Sequence, residues 1–117
     1  MIRREGQFLD QVETNLKGGS GEIMLRNLLL PDEMHGAARF CGITTIPPGA
    51  SIGKHKHVND FELYYIIDGI AEVNDNGIID TVQAGEITCC RDGDFHAIRN
   101  IGNTNLVYLS VIFLKRD

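Results

Sequence analysis

The chain predicts an all-β fold, and three observations carry that expectation. From Gly21 onward, short runs rich in β-branched and aromatic residues recur at intervals of about 8–12 residues. Turn-forming pairs separate them: Asp68-Gly69, Asn76-Gly77, Ala84-Gly85, Asp92-Gly93 and Gly102-Asn103. No helical run lies between them to carry the crossovers of a parallel sheet. The pattern reads as a sandwich or barrel of roughly eight to ten strands.

The elements follow in order. In Gln7–Lys17, Phe8, Leu9, Val12 and Leu16 approximate a helical spacing that Gly18-Gly19 can stop. Residues 1–20 therefore read as a short helix or an irregular arm, and 21–117 as a single barrel domain. GEIMLRNLLL is strand-like and ends at Pro31, and PDEMHGA is a turn or loop. ARFCGITTI is a strand stopped by Pro47-Pro48-Gly49. The runs ASIGKHKH, FELYYIID, IAEVND, IIDTVQ, EITCC, FHAIRN and LVYLSVIFLK complete the set. Asn76-Gly77 between two of them is a strong hairpin signal.

Composition narrows the function. A chain of 117 residues with 43% apolar content can bury one core. The net charge of -5, with no basic run longer than Arg3-Arg4, argues against a nucleic-acid surface. No apolar run reaches the ~18 residues of a membrane helix, and the N-terminus lacks the apolar region of a secretory signal. A cytoplasmic protein is the expectation. Cys41, Cys89 and Cys90 make an odd count without C-x-x-C, so they read as reduced. Neighbours Cys89 and Cys90 point to opposite sheet faces, so one of them faces inward.

Two of the four histidines, His55 and His57, stand two residues apart. On a strand that spacing puts both imidazoles on one face. Glu62 follows after VNDF, a gap that suits a loop returning the carboxylate to the same region. His96 lies in another strand-like run, whereas His35 lies in a loop and reads as a surface group. Three imidazoles and a carboxylate suit Mn, Fe, Ni, Cu or Zn, and four protein ligands leave two positions open on an octahedral ion. A histidine pair of this kind alone is weak evidence, because exposed strand histidines are common.

The wider spacing is specific. Gly49, five residues, His55-Lys56-His57, four residues, Glu62, six residues and Gly69 resemble the first motif of the cupin superfamily at every position. Gly85, five residues, Arg91-Asp92-Gly93, two residues, His96, three residues and Asn100 resemble the second motif at all positions but one. Arg91 stands where that motif has proline, which touches a turn rather than a ligand. The resemblance implies a jelly-roll barrel (a double-stranded β-helix). It implies one divalent transition metal (Mn, Fe, Zn or Ni) held by His55, His57, Glu62 and His96. It also implies a homodimer.

Other candidates come from alternation. If Glu62 points inward, so do Tyr64 and Ile66, and Tyr64 becomes a candidate acid or hydrogen-bond donor. Arg26 and Arg39 sit inside strand-like runs, where each can hold an anion or turn outward to water. Lys54 and Lys56 alternate away from the histidines. Asn100 reads as structural. The proteins that the chain resembles include dioxygenases, decarboxylases, isomerases, lyases, ligand sensors and storage proteins. The expectation is a metal-dependent enzyme acting on a small carboxylate or sugar acid bound to the metal. The alternative is a binding or sensor cupin without turnover. A storage role fits least, since all four candidate ligands are present.

Overall fold

A computed structural model describes residues 1–116, so Asp117, the last residue of the expected barrel, lies outside the described residues. Ten strands form two antiparallel sheets: β1 (Leu9–Thr14), β2 (Glu22–Asn27), β3 (Ala38–Ile46), β4 (Ser51–Lys56), β5 (Asp60–Asp68), β6 (Ile70–Asp75), β7 (Ile78–Gln83), β8 (Ile87–Cys90), β9 (Phe95–Asn100) and β10 (Leu106–Leu114). One sheet has the order β1-β2-β3-β10-β5-β8 and the other β4-β9-β6-β7. This is the all-β jelly roll. No helix among the described residues is long and apolar enough to cross a membrane.

The helical spacing of Gln7–Lys17 does not produce a helix. Residues 9–14 pair with β2 in register from Leu9↔Asn27 to Thr14↔Glu22. A lone helix of this length is marginal in water, whereas the edge of β2 offers each residue of β1 a ladder partner. Leu9 and Val12, which suggested an apolar stripe, are both exposed. A single 3-10 turn, Leu16–Gly18, follows. The expected strand ending at Pro31 stops at Asn27, and Pro31–Met34 forms a second 3-10 turn.

The core lies between the sheets. Ile23, Ile46, Ile66, Leu106 and Tyr108 from the larger sheet meet Ile52, Ala71, Val73 and Ile98 from the smaller one. Asn76 (φ 50°) and Gly77 (φ 98°) close the β6–β7 hairpin, where two residues at positive φ match the strand twist. Asn100 is buried and structural. Its amide nitrogen donates to the carbonyls of Ile46 and Thr104, at 2.8 and 2.7 Å, and its oxygen accepts the Gly102 N–H.

Candidate metal centre

Three strands bring the cluster together. His55 on β4 lies directly opposite His96 on β9, and the register between them shifts after Ile52. That irregularity explains a break in alternation: Ile52 and His55, three apart, both face inward. His57 follows just past the end of β4. Its backbone is tied to the next turn, with the His57 N–H donating to Asp94 O and the Gly93 N–H to His57 O. That turn closes through the Asp94 N–H and Arg91 O, so it forms without the motif's proline. Arg91 itself is 82% exposed. Glu62 comes from β5, whose inward row is Asp60, Glu62, Tyr64 and Ile66.

The ligand atoms converge. His96 Nε2 lies 3.1 Å from His57 Nε2 and 2.9 Å from His55 Nε2. Glu62 Oε1 lies 3.2 Å from both His57 and His96 Nε2, and 3.9 Å from His55 Nε2. All four atoms fall within 4.8 Å of one another.

The tautomers follow from the far sides of the rings. His55 Nδ1 lies 2.8 Å from the Gly53 carbonyl, and His57 Nδ1 lies 2.7 Å from Asp60 Oδ1. Both partners only accept, so both Nδ1 atoms carry the proton and both Nε2 lone pairs point into the centre. Lone pairs and a carboxylate facing one another at about 3 Å repel unless a cation sits among them. The donor set therefore fits a metal.

The supporting groups fix this charge pattern. Burial alone would push the Glu62 carboxyl up, but its contacts with the three imidazoles and the bond from Ser110 hold it well below the usual range. Ser110 Oγ donates to Glu62 Oε2 at 2.6 Å, leaving Oε1 for the centre. The Glu62 contact raises the His57 ring, burial opposes it, and Asp60 adds to the rise. Burial lowers His96.

A cavity of about 250 Å³ adjoins the cluster. A cavity of that size suits a small molecule. Tyr64 lines it and stacks on His96, with ring centres 5.1 Å apart. Arg39 lines it too, 55% exposed, its Nε donating to Asp60 Oδ2 at 2.8 Å.

Arg26 does not line the cavity. Its neighbour Leu25 does, and alternation sends Arg26 to the outer face. There its guanidinium bonds Asp10 twice and Glu5 once, and lies over the Phe8 ring. The structure thus places Arg26 in an outer-face ion pair, away from the cavity that its expected substrate role requires. Cys90 is the inward one of the adjacent cysteines, buried opposite Glu62. Lys54 lies over the Phe95 ring, and Lys56 is exposed but borders the cavity.

Spacing did not single out Asp60, Ser110 or Tyr108. The signal was present: two polar residues, Tyr108 and Ser110, share the inward row of the otherwise apolar β10, and Asp60 shares that of β5.

A two-sheet barrel with three histidines and a glutamate turned on its cavity defines a class: small barrels with a metal-binding donor set. Residues 42–112 match the cupin domain family, and the chain belongs to it. An oxalate-binding protein of Thermotoga maritima is 39% identical over 97% of this chain and 94% of its own length. The crystal structure of a predicted oxalate decarboxylase of the same species superposes with a TM-score of 0.93 at 38% identity, covering 97% of this chain and 99% of that one. A 5-nitrosalicylic acid 1,2-dioxygenase of a Bradyrhizobium species is 32% identical over 60% of this chain and 34% of its own length.

Proposed function

We propose that this cupin holds one divalent transition metal on His55, His57, Glu62 and His96, and binds a small carboxylate directly at that metal. The observation that carries the reading is the convergence of three imidazole nitrogens and Glu62 Oε1 beside a cavity bordered by Lys17, Arg39 and Lys56. In a chain of net charge -5, three cations around one small cavity favour an anion. The oxalate-binding relative supports a carboxylate of about that size. When bound, the metal would act as a Lewis acid on a carboxylate oxygen.

The chain's own groups bind and orient. Asp60 and Gly53 keep His57 and His55 in the ligating tautomer. Ser110 holds Glu62. Arg39 and the lysines draw the anion inward. Tyr64 stays a protonated phenol, because burial, then Glu62 and Tyr108, push its hydroxyl well above the ordinary value. In this reading it gives a hydrogen bond, or a proton, to a ligand in the cavity. Turnover makes the protein an enzyme. Binding without turnover makes it a capture or sensor module, the reading that the name of the oxalate-binding relative favours.

The reading extends to a cytoplasmic homodimer. Three free cysteines suit a reducing compartment, and an apolar outer sheet face suits a second copy.

Plasma mass spectrometry of the untagged protein tests the centre. About one equivalent of metal per chain is expected, lost in His57→Ala and in Glu62→Ala while circular dichroism keeps the β signature. No metal after reconstitution, or unchanged metal in both variants, sinks the assignment. Oxalate titrated into the metal-loaded protein, with CO₂ release and O₂ uptake followed, then separates enzyme from binder.

A further inference from the structure

We infer that the Tyr108 hydroxyl is a ligand-recognising donor, placed to bond an oxygen of the small carboxylate that the centre holds and so to select which acids fit. The inference rests on the carboxylate reading above and adds a residue that neither spacing nor the metal cluster singles out.

Tyr108 is the third residue of β10, fully buried, and lines the cavity. Among the described residues, its hydroxyl is the buried side-chain polar atom left without a hydrogen-bond partner. Such orphans are rare in folded proteins and call for a physical reason. Its surroundings are polar: the Tyr64 and Thr44 hydroxyls come within reach of it and Glu62 lies nearby, all three lining the same cavity, yet none makes a hydrogen bond of full geometry with it. An unpartnered donor beside a polar cavity is what a site looks like before its ligand arrives.

The hydroxyl has the right chemistry for an anion. A phenol with an ordinary value of about 10 is an O–H at neutral pH, and burial only strengthens that. It donates and does not repel. The ring is also held in place. Tyr64 packs against Tyr108 with ring centres 4.4 Å apart and also stacks on His96. A ligand bound at the centre therefore meets a fixed donor on the larger sheet. An acid with an acceptor oxygen beyond its metal-bound end satisfies that donor, and one without it leaves the donor unpaired. Sites built this way discriminate strongly.

The test compares wild type with Tyr108→Phe, both untagged and metal-loaded. Metal content, thermal unfolding without ligand, and calorimetric titration with sodium oxalate are measured. Equal metal content, an equal or higher Tm for the variant, and an oxalate Kd weakened about tenfold or more are expected. The same Kd in both proteins overturns the role. So does a clear drop in Tm without ligand, because it assigns the hydroxyl to the fold. Wild type that holds metal but takes up no oxalate overturns the carboxylate reading itself, and the Tyr108 role falls with it.

Discussion

The Asp60 carboxylate is shared between two partners. Oδ1 accepts a hydrogen bond from His57 Nδ1–H, and Oδ2 accepts one from Arg39 Nε–H. One buried acid thus links the mouth of the cavity to a ring at its centre. Outer contacts of this kind orient a ligating imidazole and raise its basicity. Asp60→Asn keeps the volume but removes the charge. We expect metal affinity to fall by about 10–100-fold in competition with a chelator, with the fold unchanged by circular dichroism. Unaltered affinity would reduce Asp60 to a structural acid. A second pair lies far from the centre. Arg3 donates to both oxygens of Glu33 and to the Leu28 carbonyl, fastening the N-terminal segment. The Arg3 bond, then the Leu30 N–H, hold the Glu33 carboxyl down from an ordinary 4.5 to about 2. A lowered folded value stabilises above the unfolded one and loses that effect as pH falls through the folded one. The stability difference between wild type and Glu33→Gln should therefore be level above about pH 4.5 and shrink toward pH 2. Urea unfolding across that range measures it, and a difference that grows on acidification would contradict the assignment.

At the level of elements, β4 is set by a close approach. Gly53 and Gly19 pack backbone against backbone, and a Cβ at Gly53 would meet Lys17 O, while one at Gly19 would meet Ser51 O. The same Gly53 carbonyl accepts the hydrogen bond from His55 Nδ1–H. Gly53→Ala must therefore push the 3-10 turn off β4 or tilt the strand. The expected cost is about 1–3 kcal/mol of stability, together with weaker metal binding because His55 loses its anchor. Calorimetric unfolding and chelator competition read the two effects, and a variant as stable as wild type would show that the turn yields freely. Gly53 also shows what spacing can and cannot carry. The clustering of His55, His57, Glu62 and His96 was legible because their intervals resemble the two cupin motifs, and the structure brings all four together. The alternation of β5 correctly sent Tyr64 and Ile66 inward. The register shift in β4 was not legible, since a single extra residue leaves no mark on composition. Nor was β1, whose apolar residues mimic a helix while its stability comes from the edge of β2, a partner outside its own sequence. Arg26 was undecidable for the same reason, because its partners Asp10 and Glu5 lie on that unforeseen strand and the segment before it.

For the whole molecule, the larger sheet presents a problem of exposure. An antiparallel sheet with one face to water usually turns polar residues outward. Here Ile43, Leu109, Tyr65 and Ile87 stand side by side across β3, β10, β5 and β8. Cys41, Val111, Leu63 and Cys89 form the next row on the same outer face. Tyr65 and Ile87 are 43% and 58% exposed. The inner neighbours Tyr64, Tyr108 and Ser110 are buried, so the two rows do not belong to the core between the sheets. Contiguous apolar surface of this kind marks a contact with another protein, and a self-complementary contact about a two-fold axis is the simplest way for one chain to cover it. In the proposed homodimer this face lies between the protomers, leaving both cavities to open elsewhere. Light scattering at micromolar concentration should then give about twice the 13.0 kDa of one chain. Leu109→Lys places a charge in the centre of the rows and should give a monomer that keeps its metal, because Leu109 faces away from the cluster. A wild type that scatters as a monomer would leave the rows exposed and remove the dimer. A Leu109→Lys dimer would move the interface to another face, with β1 at the sheet edge next to be tested.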